Sequence, residues 1–260
     1  MIKSILILLI VASVPYPSLA TGITERNSSS HPTSEIDIAL VLVKGGCFQM
    51  GDIFNDGYKS EKPVHEVCVN DFSISKYLLT QSLWKVVMGT KPSVFTGDRW
   101  PVDSVSWEEA QQFITKLNAM TGRQYRLPTE AEWEYSARSG GKQEKWSGTS
   151  DESQLGDFAW YSTNSYEMTH EVGTKKPNEL GLFDMTGNVW EWVQDWYEDI
   201  YYENSPRDNP QGPVTGTRRV LRGGGWRTAA GIVRASSRSC LSPSRRYYDI
   251  GFRLVLPAVQ

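Results

Sequence analysis

The stretch GLFDMTGNVWEW, residues 181–192, holds the side chains best suited to chemistry. Asp184 and Glu191 are hard oxygen donors set in a segment that Gly181, Gly187 and Asn188 mark as sharply turning. Trp190, Trp192 and Trp196 supply indoles that can pin such a loop. The segment reads as too irregular for a strand and too rich in glycine for a helix. A loop bent around carboxylates suits a calcium ion, which accepts side-chain and backbone oxygens alike. An aromatic-anchored loop whose carboxylates pair with arginines uses the same residues, and both readings stay open at this point.

Other reactive groups are sparse. His65 and His170 are isolated, and a lone imidazole usually serves as a satisfied polar group. Glu130, Glu132 and Glu134 fall at a helix start, where acids offset the helix dipole, so they read as structural rather than acid/base residues. No Ser/His/Asp set or Cys/His pair emerges. Of the 3 cysteines, Cys47 and Cys68 fit a disulfide in an oxidising compartment, with two buried thiols as the other reading, and Cys240 is left over.

Local signals place these residues on short elements joined by long connections. Residues 38–43 and 64–69 read as strands, and residues 72–77 give a weaker alternation. Thr80 caps a helix that Gly89 ends. Ser106 and Glu109 form a capping box ahead of Ala110, Phe113, Ile114 and Leu117, one apolar face of a helix over 107–119. Thr129 and Glu132 repeat the device, with Trp133 and Ala137 on one face. Residues 139–156 and 198–217 are polar and read as surface loops. The 10 tryptophans suit a loop-rich core filled by large flat side chains.

The ends and the charge bound the setting. Lys3, the apolar run 5–14 and Ser18-Leu19-Ala20 make residues 1–20 a signal peptide, too short in its apolar part to span a bilayer. Residues 21–36 read as a disordered spacer and residues 37–260 as the domain. Loss of Lys3 takes the formal net charge from −3 to −4, which argues against nucleic acid as a partner. The expectation is an exported protein, periplasmic or secreted, with no transmembrane segment in the mature chain.

The motif at 181–192, followed by RVLRGGGW at 219–226 and GFR at 251–253, resembles the formylglycine-generating enzyme family, also called the sulfatase-modifying-factor family. The likeness runs from about Ile38 to Leu256. It implies a single loop-rich α+β domain of the C-type-lectin-like kind. It also implies calcium held by the side chains of Asp184 and Glu191 and the carbonyls of Gly187 and Val189. A second ion would fall to Asp157, the Phe158 carbonyl and Asn164. Arg222, Arg234, Arg238 and Arg253 match recurring family arginines and read as structural, with Asp184, Glu191 or Asp195 as partners.

Active family members oxidise a cysteine in a Cys-x-Pro-x-Arg context to an aldehyde, using O₂ and Cu(I) on two thiolates. Soft sulfur ligands are what hold Cu(I). Here the segment after Trp226 runs Arg227, Thr228, Ala229, Ala230, Gly231, Ile232, Val233 and contains no cysteine. Gly225 stands where the family usually has serine. Cys240 is displaced from the family position and is one thiol, so copper is not expected. The resemblance then implies a calcium-stabilised binding module for a protein or small-molecule ligand. Trp226, Arg227, Arg245, Arg246, Tyr247 and Tyr248 are the natural contact residues, since Tyr and Arg are enriched at recognition hot spots. The alternative is an oxidoreductase-type enzyme of the family, making formylglycine on a sulfatase or acting in siderophore maturation in the periplasm.

Overall fold

A computed structural model describes residues 36–258. The expected signal peptide and nearly all of the expected spacer lie outside the described residues. The chain opens with β1 (Leu40–Val43) and β2 (Gly46–Met50), then β3 (His65–Val69) and β4 (Phe72–Ser75). Helices α1 (Gln81–Met88), α2 (Trp107–Thr121), α3 (Glu130–Ala137) and the single turn α4 (Leu155–Phe158) follow. Strands β5 (Trp190–Trp196), β6 (Arg219–Arg222), β7 (Ser239–Leu241), β8 (Ile250–Phe252) and β9 (Val255–Pro257) complete it. Long connections separate these short elements, so the domain is mixed α/β and loop-rich.

Three small sheets result. β4 lies between β1 and β9, so Phe72 opposes Val43 on one side and Pro257 on the other, which ties the two ends of the domain together. β2 and β3 form a hairpin in which Cys47 faces Cys68 in register, and the two are bonded as a disulfide. The third sheet runs β7-β6-β5-β8, with β5 and β8 parallel and the other pairs antiparallel. The tail of the 181–192 motif is therefore strand, not irregular loop. Trp190 alternates into β5 because its backbone pairs with Ile250, a long-range contact that local turn signals do not report.

The helix starts follow the sequence closely. The Ser106 hydroxyl accepts the Glu109 N–H at 3.1 Å while the Glu109 carboxylate accepts the Ser106 N–H at 3.0 Å. Gly122, at φ 68°, ends α2 in the left-handed conformation that glycine adopts without a Cβ clash. Ala110, Phe113, Ile114 and Leu117 are buried, and Phe113 stacks on Trp84 of α1 at 5.4 Å between ring centres. α3 departs from expectation. All its residues are buried, not one face, because it passes through the middle of the domain against β2, β3, β5 and β6.

Candidate functional site

Burying α3 takes its acids out of water, and the structure answers with arginines. Glu130 and Glu134 do not sit at a solvated helix end as their position suggested. Glu130 accepts Arg238 Nε and Nη2 at 2.7 and 2.9 Å. Glu134 accepts Arg138 Nε at 3.0 Å through one oxygen and Arg222 Nη2 through the other. Glu61, from a single 3-10 turn (Lys59–Glu61), binds Arg234 at 2.7 and 2.9 Å. Such fork-to-fork pairs combine charge with fixed geometry. Arg238 lies against the Tyr202 ring at 4.2 Å. The four arginines are therefore structural, as the sequence suggested, but only Arg253 takes one of the three acids named for them. Asp195 instead accepts the Glu130 N–H at 2.8 Å, and burial pushes its carboxyl well up, with the Glu130 charge adding to the rise.

Arg253 donates to both oxygens of Glu191, at 2.7 and 3.0 Å. Glu191 is carried by β5 and is fully buried. Asp184 precedes it in a loop where Asp184 and Asn188 have φ of 57° and 63°. Gly187 also turns left-handed, and a Cβ there would come within 2.2 Å of the Trp160 carbonyl. Asp184 accepts the Gly173 N–H at 2.8 Å and the Asn188 side-chain amide at 3.4 Å. Burial pushes both carboxyls above their ordinary values, with Arg253 acting in the opposite direction on each. Arg253 pairs with Glu191 and reaches Asp184 only through its charge, so two buried acids depend on one guanidinium. Asp184, Glu191 and the Gly187 and Val189 carbonyls are of the hard-oxygen donor type that calcium takes, although both Glu191 oxygens here are engaged by Arg253.

The second expected ion finds less support. Asp157 is exposed and pairs with Lys176 at 2.8 Å. The Asn164 oxygen accepts the Tyr161 N–H at 2.9 Å, and its amide donates to the Ala159 carbonyl at 2.9 Å. Lys175 donates to the Gly156 carbonyl with its ammonium 3.9 Å from the centre of the Trp160 ring. Positive charge at this turn comes from the chain's own lysines, so Asp157, the Phe158 carbonyl and Asn164 do not fit a calcium ion. His170 stacks on Trp160 at 3.7 Å between ring centres, and its Nε2 donates to the Ser165 carbonyl at 2.7 Å. Among the described residues, no three His, Cys, Asp or Glu side chains converge as metal ligands.

The segment after Trp226 returns to β8 and opens a groove of about 270 Å³. Trp190, Leu221, Arg227, Ser239, Cys240, Leu241, Tyr247, Asp249 and Ile250 surround it. Arg227 and Tyr247 were expected at a contact surface and do line it. Trp226 was expected there too, but it is 7% exposed and packs edge-on against Phe95 at 5.9 Å. It anchors the segment from behind. Tyr248 is 37% exposed, and Arg227 lies over its ring at 4.9 Å while bonding Asp249 at 2.9 Å. Arg246 turns toward α2 and pairs with Glu109 at 2.6 Å, and Arg245 is exposed. Ser239, Leu241 and Asp249 escaped the sequence reading because nothing local marks them. The placement of β7 against β6 brings Ser239 and Leu241 to the groove, and that of β8 against β5 brings Asp249.

Cys240 sits in this groove with a half-buried thiol, and burial raises its pKa. With Cys47 and Cys68 joined, it is the one free cysteine. With that disulfide formed, the chain holds one free thiol where a two-thiolate copper centre needs a pair.

Sheet order and buried arginine pairs define a loop-rich α+β scaffold with a groove on one loop-and-strand face. The chain belongs to the sulfatase-modifying factor enzyme family, whose domain model matches residues 25–258. It is 30% identical to the formylglycine-generating enzyme of Streptomyces coelicolor, over 82% of this chain and 87% of that protein. It is 29% identical to the chaperone protein LppX of Paenibacillus barcinonensis, over 96% of this chain and 98% of that protein. The solved structure of Treponema denticola variable protein 1 superposes with a TM-score of 0.78 at 34% identity, covering 84% of this chain and 94% of that one. None of the described helices is long and apolar enough to cross a membrane.

Proposed function

We propose that this protein is an exported, calcium-stabilised binding module of its family, which uses the groove beside β7 to recognise a protein or small-molecule ligand rather than to oxidise a cysteine. The observation that carries the reading is the groove itself. Where active relatives need two thiolates, this chain has one half-buried thiol among Arg227, Leu241 and Tyr247. Aromatic and guanidinium side chains around an apolar floor are the composition of recognition hot spots. Similarity to proteins named as a chaperone and as a variable protein supports non-catalytic use of the scaffold. The apolar run near the N-terminus and the disulfide support export.

Two measurements test it. Incubation with Cu(I), O₂ and a Cys-x-Pro-x-Arg peptide should give no aldehyde above a blank by mass spectrometry. Turnover that disappears in Cys240→Ser would overturn the reading. Ligands selected on the wild-type protein from exported fractions should be lost by Arg227→Ala/Tyr247→Ala with the far-ultraviolet spectrum unchanged. Equal retention by the double variant would place recognition elsewhere.

A further inference from the structure

One wall of the groove rests on groups that recognition alone does not call for. Asp103, in the approach to α2, is fully buried. Its Oδ1 accepts the Ser104 hydroxyl at 2.8 Å and the Val94 N–H at 3.1 Å, while Oδ2 has no partner. The next residue, Ser104, is held at φ 60°, a left-handed conformation that costs a non-glycine residue energy. Its N–H donates to the Tyr247 carbonyl at 3.0 Å. Asp249 is also buried, carries a charge that acts on Asp103, and accepts Arg227 Nε at 2.9 Å. A strained turn, an unpartnered carboxylate oxygen and a second acid therefore meet under Arg227 and Tyr247.

We propose that Asp103 and Asp249 form a pH-responsive latch beneath the groove. With Asp103 protonated, Asp249 locks Arg227 and the 247–249 wall in place. Ionisation of Asp103 sets two buried carboxylates against one guanidinium and loosens the wall. Arg227 is half exposed and offsets only part of that repulsion. The remaining charged neighbours, Arg246 and Glu109, pair with each other at 2.6 Å. The polar groups on Asp103 are Val94 N–H and the Ser93 and Ser104 hydroxyls, and none of them titrates in this range.

The direction follows from burial. Loss of hydration pushes the Asp103 carboxyl up from 3.8 to about 6, hydrogen bonds from Ser104 and Val94 pull it down, and the Asp249 charge pushes it up again. A carboxyl raised in the folded state contributes most to stability below its ordinary value. That contribution is lost as the pH rises through about 6. If opening the wall restores the ordinary value, the opening equilibrium grows about tenfold between about pH 5 and pH 7.5. The latch bears on the proposed function as regulation of the same groove, but it can be tested without a ligand.

The test is hydrogen exchange of the whole mature chain at several pH values, corrected for intrinsic rates. Peptides covering 101–105 and 244–250 should lose about tenfold protection from about pH 5 to pH 7.5 in the wild type, and Asp103→Asn should abolish the dependence. A flat wild-type profile, or the same slope in Asp103→Asn, would overturn the latch. Carboxyl carbon resonances of the wild type give a check that needs no variant. A titration near 6 that couples to Tyr247 and Tyr248 shifts supports it, and a midpoint near the ordinary value of 3.8 overturns it. A latch that works while Arg227→Ala/Tyr247→Ala keeps every selected ligand would leave the regulation standing and refute the recognition role alone.

Discussion

Glu134→Gln probes the arginine lattice most directly. Glu134 is fully buried. One of its oxygens accepts the Gly51 N–H at 2.9 Å and Arg138 Nε at 3.0 Å, and the other accepts Arg222 Nη2. Arg138 and Arg222 are themselves 1% and 0% exposed at the side chain. The amide keeps the shape but removes the charge between two buried guanidiniums, and its NH₂ must face one of them. Arg222 still has Glu130 at 3.5 Å. Arg138 keeps only the Gly51 and Glu144 carbonyls, at 2.7 and 3.0 Å. Removing one partner of a buried ion pair costs about 3–5 kcal/mol. In a domain of this size that lowers the melting temperature by roughly 6–20 °C. Urea unfolding followed by tryptophan fluorescence measures it from the midpoint, provided the slope is unchanged. Glu66→Gln, which breaks the exposed pair with Arg207 at 2.6 Å, is the control and should leave the midpoint in place. A loss below about 1 kcal/mol for Glu134→Gln would refute the claim that this charge is what makes burial of α3 tolerable.

The remaining predictions concern the bridge, a cap and the ion. Cys47→Ala/Cys68→Ala opens a loop of sequence separation 21 and should destabilise by about 3 kcal/mol in the same unfolding assay, with reduction of the wild type giving a similar loss. Ser106→Ala removes the hydroxyl that accepts the Glu109 N–H and should cost about 1 kcal/mol, while Ser244→Ala on the exposed loop should cost nothing measurable. Calcium at about a hundred times its dissociation constant should stabilise the wild type by about 2.7 kcal/mol, read as a rise in melting temperature. Asp184→Ala should abolish that rise, and equal melting with calcium or a chelator in the wild type would remove the ion from the account.

How much was legible in advance varied with the range of the interaction. The starts of α1, α2 and α3 and the stops of α1 and α2 depend on neighbours within one helical turn, so Thr80, Ser106, Thr129, Gly89 and Gly122 marked them. The family motifs announced the scaffold for a similar reason, since a turning loop such as 184–188 needs particular residues at left-handed positions. The absence of a second usable thiol near Trp226 is likewise a property of the sequence alone. Tertiary structure decided the rest. Arg238 reaches Glu130 across 108 residues and Arg234 reaches Glu61 across 173, distances over which no periodicity carries a signal. The acids of α3 looked solvated because their local context is that of a helix start. Burial from all sides turned Glu130 and Glu134 into ion-pair partners, since a buried carboxylate stays ionised only with a counter-charge or hydrogen-bond donors around it. The groove was decided the same way. Trp226 looked like a contact residue and became an anchor, while Ser239, Leu241 and Asp249 became lining only when β7 and β8 took their places in the sheet.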